Sequence, residues 1–203
     1  MSNFQSAVAL IIGTTGQGPR EILTEFPGFD LEKHGIITPY GPIDYWTVKG
    51  NRRDFYLLDR HHFTRNPRFP NQIRASPAMY FLTRTAQVRR LVSDSAVGVY
   101  KHLGHIKVGD LVVPDSFMDL RGEAMQICPE GRELPTNFDL MLGHCPSEGL
   151  ICPAMKAALG PEVHQGNGWL ACTTGPLFEP DPEKRFYLDA GASFLGMHTV
   201  VRE

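Results

Sequence analysis

Short apolar runs separated by glycine, proline and polar clusters dominate the pattern of this chain. The runs are rich in β-branched and aromatic residues and are bounded by Gly, Pro or Asp, which is typical of β-strands. The predicted strands are Ala7–Ile12, Tyr45–Lys49, Phe55–Leu58, Leu91–Ser93, Leu111–Val113, Trp169–Cys172 and Phe194–Met197.

Helical stretches lie between these strands. They are predicted at Ala78–Arg90, at Pro153–Leu159 before Gly160, and at Pro182–Leu188 before Gly191. Proline is favoured near the start of a helix and glycine just past its end, and these residues are found at those positions in the last two stretches. Strands alternating with helices indicate an α/β protein with a mixed, largely parallel central sheet flanked by helices.

The length of 203 residues fits a single domain spanning positions 1–203, because a second full domain would be cramped. The section Leu120–Gly149 is rich in Gly and Pro and is predicted to be one long irregular loop. Loops of that length are usually functional or disordered.

The charge balance argues against nucleic acid as a partner. The formal net charge is -2, whereas electrostatic binding of nucleic acid needs a concentrated basic face. A local basic stretch does exist, and most of its arginines are interpreted as solvated or structural, with one or two holding an anion. The stretch comprises Arg52, Arg60, Arg65, Arg68 and Arg74.

Cysteine usage and hydropathy favour a soluble cytoplasmic protein. The four cysteines lack CxxC spacing, so neither a disulfide framework nor a zinc site is expected, and no metal ligands are assigned. The apolar run Ala7–Ile12 is too short to span a membrane and has no basic leader. No membrane partner is therefore predicted.

Three predicted strands end in groups suited to an oxyanion. They are followed by the segments Gly13–Gly18, Asp59–His62 and Asp94–Gly98. Ligands of open α/β sheets bind beyond the carboxyl ends of strands, where glycine amides, hydroxyls and an arginine fork can hold phosphate. Each segment could also be an ordinary turn or a helix cap. Their recurrence predicts an anion site.

A series of motifs in fixed order resembles the nucleoside phosphorylases of the methylthioadenosine and purine nucleoside type. The chain is shorter than that family at its C-terminus. The matching segments are Ile11–Gly16, Thr38–Gly41, Arg60–His61, Val108–Asp115 with Phe117 and Asp119, His144 with Cys152–Pro153, Ala171–Glu179, and Gly191–Val200. The resemblance covers nearly the whole chain and implies that family's fold.

The resemblance also implies a set of site residues. Phosphate would be bound by Thr15, Arg60, His61 and Ser95. The nucleoside would be bound by Ala96, Phe178, Glu179, Met197 and, across a subunit interface, His144. Inorganic phosphate would be a co-substrate and no cofactor is implied. The family also implies a homo-oligomer, with a trimer favoured, while no catalytic residue is identified.

Several of these residues have a structural alternative. Glu179 could complement the N-terminus of the following helix. His61 could be a satisfied structural histidine, and Met197 would be packed in either case. His144 lies in the long loop, where a surface histidine is the simpler interpretation.

The chain departs from the family pattern in three places. Phe63–Arg68 lacks the family's second histidine, and Leu177 replaces an Arg or Ser. After Thr199 and Val200 the sequence ends at Glu203, where the family continues with a strand, an acid or amide for purine N7, and closing helices. A subunit interface or a rearranged edge is expected to cover the apolar surface left behind.

Three functions follow as expectations. The first is phosphorolysis of a purine nucleoside, possibly modified at the 5′ position, by inorganic phosphate. The second is hydrolysis of the glycosidic bond, or a specialised biosynthetic reaction on an unusual nucleoside. The third is a catalytically silent homologue that binds a nucleoside or pairs with a partner subunit. The retained phosphate ligands favour the first, and the missing acid favours the third.

Overall fold

The computed structural model describes residues 4–13, 28–61, 72–73, 76–100, 103–114, 116–120, 163–165 and 168–197. The chain forms two compact units that meet in sequence at Ala96 and Val97, called unit 1 and unit 2 below. The predicted helix Pro153–Leu159 and nearly all of the predicted loop lie outside the described residues. Each unit is described by itself.

Unit 1 is built on a five-stranded mixed sheet. Its strands are β1 (Val8–Ile12), β2 (Phe29–Thr38), β3 (Gly41–Gly50), β4 (Phe55–Asp59) and β5 (Arg90–Ser93). Their order is β2-β3-β4-β1-β5, with β1 parallel to β4 and β5 and the β2-β3-β4 ribbon antiparallel. The predicted mixed α/β class is confirmed, although β2 was not predicted.

The core of unit 1 follows from alternation along its strands. Buried residues from three strands (Ile12, Trp46, Val48 and Leu57) pack together, with Leu10 against them. Because strand side chains alternate between faces, only one side of β3 contributes to this cluster. Burying such side chains contributes about 1.5–3 kcal/mol each. This packing fixes the register that aligns the strand ends.

The helix predicted at Ala78–Arg90 is wrong in extent. The structure has a short helix α1 (Ser76–Tyr80) that continues into a π-helical turn (Phe81–Thr85). The amides of Arg89 and Arg90 both bond to the carbonyl of Ala7, and Arg90 begins β5. Pairing with β1 therefore overrides the helix propensity of this segment.

Unit 2 contains two further sheets. The strands of the larger sheet are β6 (Gly98–Val99), β8 (Ser116–Asp119), β10 (Trp169–Cys172) and β11 (Ala192–Gly196), in the order β6-β11-β10-β8. Strand β10 is parallel to β8 and β11, whereas β6 is antiparallel. A two-stranded parallel sheet pairs β7 (Leu111–Val113) with β9 (Val163–Gln165).

A charged turn precedes β7. The carboxylate of Asp110 accepts the amide of Lys107 at 2.8 Å and contacts Nε2 of His164 at 3.0 Å. The backbone hydrogen bond, and then the histidine, hold the pKa of Asp110 below its usual value of 3.8. The turn is thereby tied to β9.

Helix α2 (Asp181–Asp189) matches the helix predicted at Pro182–Leu188. Proline lies in its first turn together with Asp181 and Glu183, which suits the positive end of the helix dipole. Gly191 follows its end at φ 95°. None of the helices in the described ranges is both long and apolar enough to cross a membrane.

Candidate functional site

Three strand ends converge in unit 1. The amide of Arg60, after β4, bonds to the carbonyl of Ile12 at 3.0 Å. The amide of Asp94, after β5, bonds to the carbonyl of Ile11 at 3.0 Å. The amide of Gly13 in turn donates to Oδ1 of Asp94 at 3.1 Å. The carboxyl ends of β1, β4 and β5 thus meet, where ligands of parallel sheets bind.

Arg60 and His61 form a buried pair at this edge. Only 8% of Arg60 and 9% of His61 are exposed, and Nη2 of Arg60 lies 2.8 Å from Nε2 of His61. Because a guanidinium can only donate, Nε2 of His61 is the acceptor in this contact. The backbone of His61 is held by Oδ1 of Asp59 at 3.0 Å.

Gly13 lets the guanidinium approach the end of β1. A Cβ at this position would lie 3.0 Å from Nε of Arg60 and 3.2 Å from the carbonyl oxygen of Asp94. Both distances are tighter than ordinary van der Waals contact. The absence of a side chain at Gly13 is therefore what allows the permanent positive charge to sit beside the strand end.

The remaining predicted residues of unit 1 have less defined surroundings. Ser95 is partly buried and follows Asp94 directly; its hydroxyl lies 3.4 Å from the carbonyl oxygen of Ala96. Ala96 itself is exposed. Thr15 lies outside the described residues. Arg60 and His61 thus lie at the edge formed by the strand ends of unit 1, and Ser95 follows one of these strand ends, that of β5.

A second set of strand ends converges in unit 2. The amide of Thr173, after β10, bonds to the carbonyl of Gly196 at 2.9 Å, and Met197 follows directly. On the other side the amide of Leu120 bonds to the carbonyl of Cys172 at 2.9 Å. Strands β8, β10 and β11 are parallel, so their carboxyl ends form one edge. Thr173 and Met197 are neighbours at this edge.

Glu179 is an acid buried near this edge. It is 8% exposed, and its Oε1 accepts the hydroxyl of Thr173 at 2.5 Å. Burial raises the pKa of Tyr100, and the negative charge of Glu179 raises it further. The pKa of Tyr187 is raised first by burial, then by the charge of Glu183 and then by that of Glu179. Glu179 directly precedes Pro180, the N-cap of α2, so its structural alternative as a negative charge at the helix N-terminus stays open beside the base-binding role.

Phe178 and Met197 differ in exposure. Phe178 is 87% exposed and its neighbour Leu177 is 82% exposed, so both side chains are available for contact. Met197 is partly buried at the end of β11. His144 lies outside the described residues. Phe178, Glu179 and Met197 all belong to the segments that follow β10 and β11.

Four residues that shape these edges were not predicted as site residues. Asp59 and Asp94 hold backbone amides at the edge of unit 1, Gly13 makes room for Arg60, and Thr173 holds the Glu179 carboxylate. Asp59 and Asp94 each stand directly after a predicted strand, which is a usable sequence signal. The pairing of Thr173 with Glu179 has no comparable local signal.

No metal centre is evident in the part of the chain that the structure describes. No group of three or more His, Cys, Asp or Glu side chains there could hold a metal ion. Cys172, the cysteine within the described ranges, is free and buried. The described chemistry of the two edges is therefore that of an arginine–histidine pair and a buried carboxylate.

Comparison with known proteins places these edges in context. The sequence profile of the Phosphorylase superfamily matches residues 54–201. The S-methyl-5'-thioadenosine phosphorylase of Thermofilum pendens is 29% identical over 192 residues, which cover 94% of this chain and 69% of that protein. A protein of Moorella thermoacetica, named "Probable 6-oxopurine nucleoside phosphorylase", is 28% identical over 94% of this chain and 70% of its own.

Solved structures show the same fold. A methylthioadenosine phosphorylase from an antarctic soil metagenomic library superposes with a TM-score of 0.70 at 23% identity, covering 95% of this chain and 64% of that one. A methylthioadenosine phosphorylase from Schistosoma mansoni gives a TM-score of 0.62 at 16% identity, covering 95% of this chain and 71% of that one. The chain thus spans about two thirds of the length of the proteins it matches.

Proposed function

Because this chain belongs to the Phosphorylase superfamily, we propose that it is a pentosyltransferase that cleaves the N-glycosidic bond of a purine nucleoside with inorganic phosphate. The predicted family, fold class and enzyme class are confirmed by the family match and the named relatives. The relatives are named for methylthioadenosine, methylthioinosine and 6-oxopurine nucleosides, so a purine nucleoside is the proposed substrate class.

The observation that carries the proposal is the buried Arg60–His61 pair beside Gly13. A buried guanidinium is costly unless it is paired, and burial in a low dielectric strengthens its attraction for an anion. Arginine offers a rigid fork that matches phosphate oxygens. We assign phosphate binding to Arg60 and His61, with Ser95 and Thr15 completing the set as the family resemblance implies.

In the proposed reaction a phosphate oxygen attacks the anomeric carbon as the bond to the base nitrogen breaks. The electron pair of that bond goes to the base, which leaves with a proton, and the pentose is released as its 1-phosphate. Phosphate is both nucleophile and counter-charge to the oxocarbenium character of the sugar. Arg60 and His61 would hold the phosphate, and the 2.8 Å contact between Nη2 of Arg60 and Nε2 of His61 would keep the guanidinium oriented.

We assign nucleoside binding to residues in the segments that follow β10 and β11. A buried carboxylate such as Glu179 can accept from base N–H groups, and the hydroxyl of Thr173 keeps it in one orientation. The exposed ring of Phe178 offers a surface for a purine to stack on or pack against edge-on. Met197 would lie against the ribose. The family resemblance further assigns Ala96 to the sugar and His144 to the 5′ end of a ligand in a neighbouring subunit of a trimer.

Base release from a panel of purine nucleosides, with and without inorganic phosphate, tests the proposal. Phosphate-dependent release with formation of pentose 1-phosphate is the expected result. Release that is independent of phosphate would make the protein a hydrolase. Binding of nucleoside without release, by protein shown to be folded, would make it a silent homologue.

The Arg60→Ala variant tests the phosphate assignment. Loss of a hydrogen bond to a charged group costs about 1.5–3 kcal/mol, so the KM for phosphate should rise at least ~tenfold. Arg84→Ala is the matched control, because Arg84 is an exposed arginine of the same unit outside this edge. An unchanged phosphate KM in folded Arg60→Ala protein would remove Arg60 from the site.

A further inference from the structure

A pair of adjoining cavities lies at the other end of the unit 1 sheet. Gln5, Ser6 and Ala7, which lead into β1, line both of them. Arg60 and Gly13 follow the carboxyl ends of β4 and β1, so about six residues of extended chain separate the two ends of the sheet. At ~3.3 Å per residue this places the cavities roughly 20 Å from the proposed phosphate site. Neither cavity has a role in the proposed phosphorolysis.

The first, which we call the aromatic cavity, has a volume of about 890 Å³. Its aromatic lining consists of Phe4, His34, Tyr45, Tyr56 and Phe81. Tyr45 stacks on Phe81 with ring centroids 4.1 Å apart and an interplanar angle of 29°. His34 stacks on the Tyr45 ring at 5.2 Å and 24°. These rings form a continuous wall of π faces and edges.

Polar groups are interspersed in this wall. Nε2 of His34 lies 2.9 Å from the hydroxyl of Thr47, and the hydroxyl of Tyr56 donates to the carbonyl of Phe4 at 3.1 Å. Gln87 adds an amide at a left-handed turn with φ 52°. A cavity with aromatic walls and a few fixed polar groups is suited to a planar heteroaromatic ring.

The second, which we call the arginine cavity, has a volume of about 710 Å³. Four exposed arginines line it: Arg52 and Arg53 from the β3–β4 turn, Arg89 just before β5, and Arg90 at the first position of β5. Within the described residues none of these arginines forms an ion pair. Asp54 is the acidic residue among the lining residues, and its Oδ1 accepts the amide of Gly50 at 3.3 Å.

This cluster of charge is local. The whole chain has a formal net charge of -2, so four arginines around one depression are a marked concentration of positive charge. Such a concave basic surface attracts a ligand that carries several negative charges. Guanidinium groups prefer phosphate, which they bind with two parallel hydrogen bonds.

We propose that the two cavities together form a nucleotide-binding site, in which a planar base lies in the aromatic cavity and its phosphates are held by the arginine cavity. A free anion would need only the arginines, and a nucleoside would need only the rings. A mononucleotide carries both groups on one short ribose link, which suits cavities that share the Gln5–Ala7 segment. The site does not depend on the proposed phosphorolysis.

The test measures calorimetric binding of ATP, tripolyphosphate and adenosine to the full chain, without divalent cations. ATP is expected to bind at least ~tenfold more tightly than either of the other two, and its affinity should fall as salt is raised. Equal binding of tripolyphosphate and ATP would overturn the proposal, because the rings would then contribute nothing. Absence of ATP binding would overturn it as well.

Variants locate the site. Arg52→Ala/Arg90→Ala should weaken ATP binding at least ~tenfold, whereas the charge-matched Arg84→Ala/Arg185→Ala should bind ATP as the parent does. A third variant, His34→Ala, should weaken ATP binding and leave tripolyphosphate binding unchanged, because it removes one ring of the wall and no arginine.

A last pair of variants separates this site from the phosphate site. Arg60→Ala, or Arg60→Lys if the alanine variant does not fold, should leave ATP binding intact. Loss of ATP binding in the Arg60 variants with retention in Arg52→Ala/Arg90→Ala would place the nucleotide at the other end of the sheet and refute the proposal.

Discussion

Replacing Gly13 by alanine tests whether the strand edge of unit 1 positions Arg60 for phosphate. The added Cβ would lie 3.0 Å from Nε and 3.2 Å from Cζ of Arg60, with the carbonyl of Asp94 at 3.2 Å on another side. Ordinary contact begins near 3.4 Å, so the guanidinium must move by about 0.4 Å. The methyl group cannot retreat toward Asp94 without tightening that contact.

Such a shift should damage phosphate binding more than stability. Gly13 does not have a positive φ, so alanine fits the backbone there. Alanine also lowers the conformational entropy of the unfolded chain, which stabilises the folded protein by ~0.4–1 kcal/mol and offsets part of the cost of overpacking. Weakening one charge-assisted hydrogen bond costs about 1.5 kcal/mol, which is ~tenfold in affinity. We therefore expect Gly13→Ala to raise the phosphate KM about tenfold with a small change in Tm.

The assay is the phosphate dependence of base release, with the Tm measured on the same samples. Arg84→Ala is the control, because Arg84 is an exposed arginine of the same unit outside this edge, and its phosphate KM should match that of the parent. A folded Gly13→Ala protein with an unchanged phosphate KM would refute the reasoning. Loss of folding would equally contradict this expectation, because alanine fits the backbone at a position without a positive φ and the variant should therefore be stable.

Three further predictions concern stability. Thr173→Val should destabilise the protein by about 1–3 kcal/mol in urea unfolding, because the buried Glu179 carboxylate loses its donor, whereas Thr173→Ser should restore most of it. Gly168→Ala should cost about 2–3 kcal/mol by the same measurement, because the position has φ 109° and a Cβ would collide with the side chain of Ser193; a parental urea midpoint would contradict this. Asp110 has a lowered pKa in the folded state, so its contribution to stability is present above its usual pKa of 3.8 and is lost as pH falls through the folded value. Asp110→Asn should therefore flatten the loss of stability between about pH 5 and pH 3, and an unchanged slope would show that the Lys107 amide and His164 do not stabilise the ionised carboxylate.

The strands that carry the edges were predictable because their signals are local. One run is β-branched (Val8–Ile12) and two begin with aromatic residues (Phe55–Leu58 and Trp169–Cys172), and each is followed directly by a glycine or a polar residue that marks the end of the strand. The convergence of the ends also followed, because parallel strands present their carboxyl ends at one edge. The sequence patterns did not predict that these strands are distributed over separate sheets in two units.

Strand β2 was missed for a physical reason. It lies at the edge of the unit 1 sheet and is mostly exposed, so its residues include Asp30, Glu32 and Lys33 instead of an apolar run. Charged residues on an edge strand protect it from pairing with other chains. These charged residues therefore protect the edge of the sheet, but they also replace the apolar positions by which a strand is recognised in the sequence.

The helix at Ala78–Arg90 was overestimated because its end depends on a distant partner. No pattern within the segment indicates that the amides of Arg89 and Arg90 bond to the carbonyl of Ala7, which lies some eighty residues earlier in the chain. The Thr173–Glu179 hydrogen bond is hidden in the same way, since the fold of the intervening loop decides it. Hydrogen bonds that depend on how loops and neighbouring strands fold therefore limit what sequence patterns predict in this chain.

The arrangement around Arg60 bears on how tightly phosphate would be held. The neighbouring carboxylates Asp59 and Asp94 each accept a backbone amide at the same edge, so their negative charge is partly engaged but still present. As negative charges at this edge they would repel an incoming phosphate dianion. In the proposed reaction phosphate arrives as a free anion and leaves as a sugar phosphate, and the two carboxylates beside the arginine in the described part of this edge favour that exchange. The arginine cavity has the opposite balance, with four arginines to one carboxylate, and is suited to a ligand that stays bound.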